Sequence, residues 1–252
     1  MTNDTLHILT GASRGMGLAI AQQLLQRGGT LLCISRHANE ALAAEAQGRG
    51  ATLLQWTADL ADPVPMAERL QAWLQQQDGR RFAQAALINN AGVVSAPGPL
   101  EDTPPAEASR ALRVGVEAAL LLTLAFLKAT AGWPADRRVL NISSGLGRRA
   151  MAGSAAYCAA KAGMDHFSRA VALEQAALPH GARIVSLAPG VIDTEMQQQL
   201  RGADAARFPE RERFAQLKAQ GLLDTPAQAA AKVIAYLGRT DFGAQPVADV
   251  RD

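Results

Sequence analysis

The chain has 252 residues, of which 48% are hydrophobic and 19% are charged, and 25 Lys and Arg residues against 23 Asp and Glu residues leave a net charge of +2. This length permits a substantial core, and the near balance of charge excludes a disordered tail and a dedicated nucleic-acid-binding protein. The longest apolar run, residues 118–127, is too short for a membrane span, which needs about 20 residues.

Short apolar runs alternate with longer helix-like stretches from the first residues onward. This alternation is typical of an α/β fold, in which a doubly wound parallel sheet carries helices on both faces. No linker or internal repeat divides the chain, so a single domain over residues 1–252 is predicted. The predicted strands are 6–10, 30–35, 52–57, 85–89, 138–142 and 183–187, and the first two predicted helices are 17–26 and 38–47.

A glycine-rich turn, TGASRGMG at residues 10–17, leads from the first strand into the first helix. Gly11, Gly15 and Gly17 let the backbone turn tightly and approach a pyrophosphate, while N–H groups at the helix start face the anion. An ordinary strand-to-helix turn is the alternative interpretation. The position of the turn after the first strand favours a dinucleotide site, which would also include Ser13, Arg14 and Met16.

The second strand ends at Ser35 and is followed by Arg36, where an enzyme that uses NAD would place an acid for the ribose hydroxyls. Arg36, supported by Arg14, suits a 2′-phosphate instead, because guanidinium groups form charge-assisted hydrogen bonds to phosphate. A solvated residue at the strand end is the alternative. The pattern therefore favours NADP(H) as the cofactor.

Polar and small residues follow the next two strands. Asp59 and Leu60 come after the third strand, where the carboxylate would accept a hydrogen bond from the adenine amine. The fourth strand ends in Asn90, Ala91 and Gly92, which leave room for a cofactor to pass. Together these positions outline the carboxyl edge of the sheet, where ligands of this fold class bind.

Tyr157 and Lys161 are four residues apart in a helix predicted over residues 154–178, so their side chains share one face. A phenol has an ordinary pKa near 10, and a neighbouring ammonium and a cationic nicotinamide both favour its phenolate. Ser144 ends the fifth strand, and we prefer it to Ser143 as the hydroxyl that holds a substrate carbonyl. A surface Tyr and Lys, and a plain strand-end turn, are the alternatives.

These motifs, with the run APGVIDT at residues 188–194, resemble the short-chain dehydrogenase/reductase family over nearly the whole chain. The resemblance implies a Rossmann-type domain with about seven strands. It also implies that Tyr157 donates a proton to the substrate carbonyl, Lys161 binds the nicotinamide ribose and Ser144 orients the substrate. By the same resemblance Ile192 and Thr194, after Pro189 and Gly190, would hold the carboxamide.

Within the family, the part of the chain from residue 138 onward is most similar to sepiapterin reductases and bacterial benzil (diketone) reductases, both NADPH-dependent carbonyl reductases. This similarity implies that Asp249 contacts the substrate, although a solvated tail charge is the alternative. Residues 193–223 break the strand–helix alternation. We expect this segment to cover the substrate, either as a flexible insertion or as a pair of surface helices.

One position departs from the family pattern. Gly115 stands where many members carry an Asn that completes a proton relay, so activity is expected to survive with its rate in doubt. A non-catalytic NADP-sensing regulator is therefore an alternative function. A 3-oxoacyl carrier-protein reductase is another, ranked lower because the chain lacks the glycine-rich ending associated with those enzymes.

The cysteines, the histidines and the first residues of the chain bear on where the protein is located and what it binds. Cys33 and Cys158 lie far apart in a chain with no other thiol, so neither a disulfide framework nor a cysteine-based metal site is predicted. The first nine residues lack a signal-peptide pattern, and a cytoplasmic location is expected. The four histidines show no metal-ligand spacing, so no metal site is predicted. The expected partners are a small carbonyl compound and further copies of the chain in a homodimer or homotetramer, with no nucleic acid and no membrane.

Overall fold

The computed structural model describes residues 4–49 and 51–252. Over these residues seven parallel strands form one sheet in the order β3-β2-β1-β4-β5-β6-β7. This arrangement confirms the doubly wound α/β fold with about seven strands. The strands are β1 Asp4–Thr10, β2 Thr30–Ser35, β3 Thr52–Thr57, β4 Phe82–Asn89, β5 Asp136–Ile142, β6 Arg183–Ala188 and β7 Val247–Asp249.

Helices cover both faces of the sheet. One face packs against α1, α2 and α9, and the other packs against α3, α5 and α6. None of the described helices is long and apolar enough to cross a membrane. The helices are α1 Gly15–Gln26, α2 Glu40–Arg49, α3 Val64–Gln75, α4 Pro105–Leu112, α5 Ala118–Thr130, α6 Ala155–Ala176, α7 Glu195–Arg201, α8 Arg211–Ala219 and α9 Pro226–Leu237.

The central strands are buried on both sides. Leu6 and Ile8 of β1 belong to the hydrophobic core on one face of the sheet, and Leu9 belongs to the core on the opposite face. This burial follows from the pleat, because successive side chains of a strand point to opposite faces of the sheet. It explains why the strands read as nearly continuous apolar runs in the sequence.

Strand order reverses between β1 and β4, since β2 and β3 lie to one side of β1 while β4 to β7 lie to the other. The connections that leave the carboxyl ends of β1 and β4 therefore diverge and open a crevice above the sheet. Both the glycine-rich turn and the Asn90 segment start at this crevice. The topology thus decides where a ligand can bind before any side chain is considered.

A buried polar network fixes α5 and α6 against the sheet. The amide nitrogen of Asn89 on β4 donates to Asn141 Oδ1 on β5 at 2.8 Å and to Thr123 Oγ1 on α5 at 3.2 Å. The amide nitrogen of Asn141 in turn donates to Ser168 Oγ on α6 at 2.9 Å. Hydrogen-bonded side chains in a core define one arrangement of the elements they join. This network sets the position of α6 and of the Tyr157 side chain that it carries.

Two features lie outside the elements predicted from the sequence. The strand β7 is only three residues long, and β6 pairs with it through Leu187 and Ala248. Residues Arg113–Glu117, which include Gly115, form a π-helical turn between α4 and α5. π-turns are rare and occur frequently at functional sites.

Candidate active site

The glycine-rich turn between β1 and α1 has a backbone that only glycine adopts freely. Gly11 and Gly15 have positive φ angles of 71° and 56°. A Cβ on Gly17 would lie 2.0 Å from the carbonyl oxygen of Gly11 and 2.5 Å from the amide nitrogen of Asn90. No side chain among the described residues caps the N-terminus of α1, and no acid lies in its first turn. The turn therefore forms an open cradle for an anion.

Thr10 and Asn90 hold this cradle in place. The backbone nitrogens of Asn90 and Ala91 each donate to Thr10 Oγ1 at 2.9 Å. The side-chain nitrogen of Asn90 donates to the carbonyl oxygens of Thr10 and Gly11 at 3.0 and 3.2 Å. These bonds tie the end of β4 to the end of β1. Asn90 thus fixes the shape of the glycine turn in addition to lining the crevice.

A cavity of about 510 Å³ fills the crevice above the carboxyl edge of the sheet. The structure brings every site residue predicted from the sequence to the wall of this one cavity. The predicted cofactor residues in the wall are Gly11, Ser13, Arg14, Gly15, Met16, Gly17, Arg36, Asp59, Leu60, Asn90, Ala91, Gly92, Tyr157, Lys161, Pro189, Gly190, Ile192 and Thr194, and the predicted substrate residues there are Ser144, Tyr157 and Asp249.

Charged side chains surround the end of the cavity nearest β2. Arg36 is exposed at the end of that strand. Arg14 pairs with Glu195 at the start of α7, across the crevice. Asp59 accepts hydrogen bonds from Arg110 on α4 at 3.0 and 3.2 Å. A hydrogen bond from the backbone of Ala61, followed by the Arg110 contact, lowers the pKa of Asp59.

Tyr157 and Lys161 lie on the face of α6 that borders the cavity. Lys161 is buried, its Nζ donates to the carbonyl oxygen of Ile142 at 2.6 Å, and it lies 5.6 Å from the centre of the Tyr157 ring. Burial lowers the pKa of Lys161 to about 8, while the charge of Asp165 acts to raise it. The ammonium is therefore placed beside the phenol, as the four-residue spacing predicted.

Burial raises the pKa of Tyr157 to about 12, and a hydrogen bond with the side chain of Ser144 acts against that rise. The loss of hydration on burial is the largest cause of this rise. The expectation that a neighbouring ammonium and a cationic nicotinamide favour the phenolate stays a prediction. The phenol is protonated at neutral pH. A protonated hydroxyl is the form that a proton donor to a carbonyl oxygen requires.

The two adjacent serines after β5 have different surroundings. Ser144 lines the cavity, whereas the hydroxyl of Ser143 donates to Oδ1 of buried Asp165 at 2.5 Å. The hydroxyl of Ser186 on β6 donates to the same oxygen at 2.7 Å. Asp165 is a site residue that the sequence analysis missed. Its position four residues after Lys161 was the available signal, because residues with that spacing share a helix face.

Gly115 brings α6 close to the π-helical turn. It is buried, and a Cβ at this position would lie 2.9 Å from the Cβ of Ala160. An Asn side chain therefore does not fit here without moving α6. The absence of Asn at this position is part of the packing of the chain, and the backbone carbonyl of Gly115 is retained.

Asp249 at the end of β7 lines the cavity but is already engaged. Nε and Nη2 of Arg251 donate to its two carboxylate oxygens, each at 2.7 Å. These hydrogen bonds lower the pKa of Asp249. A substrate that reaches this end of the cavity meets an ion pair there instead of a single carboxylate.

The segment 193–223 forms the helix pair α7 and α8, which was one of the two alternatives from the sequence. Phe208 and Phe214 stack with their ring centres 5.8 Å apart and pack with Leu200 against Met151 in the loop that precedes α6. The two ends of the segment are tied together, because the backbone nitrogen of Asp193 donates to the carbonyl oxygen of Asp224 at 2.9 Å. The segment is a packed cover on the cavity.

Acidic and metal-binding side chains do not cluster in this cavity. Within residues 4–49 and 51–252, no group of three His, Cys, Asp or Glu side chains is placed to hold a metal ion. The cavity does contain cations that the sequence analysis missed, namely Arg110, Arg149, Arg213 and Arg251. They come from segments remote in the chain, so that no local sequence pattern marked them.

The chain is similar to known proteins along nearly its whole length. A family model described as short chain dehydrogenase matches residues 6–205. A benzil reductase ((S)-benzoin forming) of Bacillus cereus is 36% identical over 235 residues, covering 93% of this chain and 94% of that protein. Sepiapterin reductase of Meriones unguiculatus is 32% identical over 246 residues, covering 93% and 92%. A solved short-chain dehydrogenase/reductase from Burkholderia vietnamiensis is 36% identical, covering 100% and 99%, with a TM-score of 0.64.

Proposed function

Because the chain belongs to the short-chain dehydrogenase family, whose members are oxidoreductases that use nicotinamide cofactors, we propose that it is an NADPH-dependent carbonyl reductase. Its substrates are ketones, vicinal diketones or sepiapterin-like compounds. One observation carries this proposal. Ser144, Tyr157 and Lys161 lie on the wall of the same cavity that contains the glycine-rich turn.

The preference for NADPH over NADH rests on Arg36. The end of β2 carries a guanidinium and no acid, so a ribose hydroxyl finds no carboxylate there while a 2′-phosphate finds a cation. Arg14 provides a second cation in the glycine turn, although Glu195 also pairs with it. The turn of Gly11, Gly15 and Gly17 suits a pyrophosphate, and its tight path requires glycine because a Cβ on Gly17 would collide with the carbonyl oxygen of Gly11.

The residues of this chain supply the proton and the position of the carbonyl. The cofactor, when bound, provides the hydride. Ser144 and Tyr157, which share a hydrogen bond, offer two hydroxyl donors to one carbonyl oxygen. Tyr157 Oη gives its proton to that oxygen as negative charge develops there, and the ammonium of Lys161 stabilises the phenolate that remains.

The apolar part of the cavity supports a substrate with bulky or aromatic groups. Leu146, Leu200 and Phe214 line it, and Leu200 of α7 and Phe214 of α8 also pack together in one apolar cluster. The similarity to a benzil reductase and to a sepiapterin reductase agrees with this lining. Expulsion of water strengthens the hydrogen bonds to the developing alkoxide.

A steady-state assay tests the proposal. NADPH oxidation is followed with benzil, a second vicinal diketone, sepiapterin and an acetoacetyl thioester, with NADH in parallel. Turnover of a diketone or of sepiapterin with NADPH preferred is the expected result. Tight NADPH binding without turnover of any compound supports the NADP-sensing regulator instead, the function that the missing Asn at Gly115 would favour. Preferred turnover of the thioester supports a 3-oxoacyl reductase.

We also propose that the protein forms a homodimer or homotetramer through α5 and α6. Leu120 and Leu124 on α5 are 40% and 53% exposed, and Leu173 on α6 is 76% exposed. Large apolar side chains at such exposure are common at protein interfaces. Light scattering after size exclusion is expected to show a dimer or tetramer, and a Leu124→Glu variant is expected to reduce it to a monomer. A monomeric parent protein contradicts this proposal.

A further inference from the structure

Arginines from three separate segments line the cavity. Arg149 belongs to the loop after β5, Arg213 to the covering helix α8, and Arg251 to the C-terminal residues after β7. Nε of Arg149 lies 4.0 Å from the place where a Cβ on Gly145 would be, next to the catalytic Ser144. The fold therefore brings the side chain of Arg149 beside the loop that follows Ser144, and it brings Arg213 and Arg251 to the wall of the same cavity.

Among these three cations, only Arg251 is neutralised by an acid of the described cavity wall. Each of the three acids in the described cavity wall pairs with one arginine, as Glu195 does with Arg14, Asp59 with Arg110 and Asp249 with Arg251. Four cations are left over in the described wall. They are Arg36, Lys161, Arg149 and Arg213.

Two of these four cations have a role in the proposed function, Arg36 for the cofactor phosphate and Lys161 beside the phenol. The other two do not. Arg213 lines the cavity and pairs at 3.2 Å with Glu210, which is not among the lining residues. Within the described part of the chain no group accepts a hydrogen bond from the side chain of Arg149 and no acid pairs with it. Arg149 thus brings to the cavity wall a positive charge that no acid among the described residues balances.

Building on the proposed reductase function, we propose that the preferred substrates are ketones that carry a carboxylate remote from the reacting carbonyl. Arg149 binds this carboxylate, and Arg213 supports it from the covering helix. A guanidinium matches a carboxylate through two parallel hydrogen bonds, which give both affinity and orientation. Leu146, Leu200 and Phe214 accommodate the apolar body between the two polar ends.

A matched pair of substrates tests this proposal. One is benzil with a carboxylate on one ring, para to the diketone, and the other carries a neutral carboxamide there. We expect kcat/KM for the carboxylate to be about tenfold higher or more, mainly through KM, because the contact exists before and during the reaction. The preference is expected to shrink as salt is added.

Variants assign the preference to residues. Arg149→Gln is expected to reduce the carboxylate-to-carboxamide ratio of kcat/KM by about tenfold, and Arg149→Gln with Arg213→Gln to bring it close to one. Arg169→Gln is the matched control, because Arg169 is an exposed arginine on α6 outside the cavity wall. It removes the same charge and is expected to keep the ratio of the parent enzyme.

Calorimetry tests the proposal independently of turnover. It measures how tightly the carboxylate and the carboxamide each bind to the enzyme saturated with NADP⁺. No reduction takes place in this complex, and the carboxylate is expected to bind more tightly than the carboxamide. Equal binding of the two compounds, or a ratio that the double variant leaves unchanged, overturns the proposal. Tight carboxylate binding without turnover of these compounds or of benzil contradicts the reductase function and leaves the arginine site standing.

Discussion

The two ends of the cavity are built in different ways. The cofactor end consists mainly of backbone, with the turn of Gly11, Gly15 and Gly17 held by Thr10 and Asn90 at the ends of two neighbouring strands. The substrate end consists of side chains from three segments, residues 145–151, residues 193–223 and the C-terminus. A site made of backbone N–H groups can bind a phosphate group with little dependence on the neighbouring side chains. A site made of side chains changes its shape and charge with each substitution.

This difference has a functional meaning. Variants at the cofactor end should weaken NADPH binding and thereby lower the activity towards every substrate by the same factor. Variants at the substrate end should change which substrate is preferred and leave NADPH binding unchanged. Tyr157, Ser144 and Lys161 lie where the two ends meet. The following changes challenge this division, beginning with the largest expected effect.

Gly17→Ala should nearly abolish cofactor binding. Its new Cβ would lie 2.0 Å from the carbonyl oxygen of Gly11, so the turn must open. We expect NADPH binding, measured by fluorescence titration, to weaken by about 100-fold or more. Gly48→Ala in α2 is the matched control, since its Cβ would meet nothing within 4 Å. NADPH affinity of the parent protein in Gly17→Ala would show that the turn is not the cofactor cradle.

Arg36→Asp should change the cofactor preference. The acid would accept hydrogen bonds from the ribose hydroxyls of NADH and repel the 2′-phosphate of NADPH. We expect the ratio of kcat/KM for NADPH to that for NADH to fall by about 100-fold. The ratio of kcat/KM for benzil to that for the second vicinal diketone should stay the same. Arg169→Asp makes the same charge change away from the cavity, and an equal effect in that control would remove the assignment of Arg36.

Asp165→Asn should change the pH profile. Lys161 has a pKa lowered to about 8 by burial and supported by the Asp165 charge, so kcat/KM is expected to fall as the pH rises through about 8. Loss of the Asp165 charge lowers the pKa of Lys161 further and moves this fall to lower pH, with a rate decrease of about threefold near pH 8. Asp165 is thus a positioning residue. Profiles that superimpose for the two proteins would contradict this role.

His7 should affect stability alone. Burial, with a smaller contribution from Arg27, lowers the pKa of this β1 side chain to about 4 from an ordinary 6.5. The unfolded chain therefore binds a proton that the folded chain excludes, and stability is lost as the pH falls from 6.5 towards 4. The free energy of unfolding in urea is expected to decrease by about 2 kcal/mol between pH 7 and pH 5 from this group. His7→Leu should flatten that slope, and an unchanged slope would exclude His7 as its cause.

The same division between backbone and side chains explains what the sequence predicted. The strands β1 to β6, the glycine turn and the Tyr157–Lys161 pair depend on residues close in the chain, so periodicity and spacing were sufficient. The α7–α8 segment left two alternatives, because the contact between Phe214 and Met151 that decides between them joins distant residues.

Other features had no local pattern to reveal them. Arg110 reaches Asp59 across 51 residues, and the hydroxyl of Ser186 reaches Asp165 only after β6 joins the sheet. The short strand β7 is defined by its pairing with β6. Burial also raises the pKa of Tyr157, an effect that residue spacing does not reveal, since hydration is a property of the folded cavity.

The central claim is that Tyr157 donates the proton, and single-turnover kinetics test it most directly. Enzyme saturated with NADPH is mixed with benzil, and the loss of NADPH absorbance is followed for the parent, Tyr157→Phe and Tyr236→Phe. Tyr236 on α9 lies outside the cavity wall and serves as the matched control. We predict a rate about 1,000-fold lower in Tyr157→Phe with NADPH affinity within about twofold, and the parent rate in Tyr236→Phe. The parent rate in Tyr157→Phe would contradict the claim.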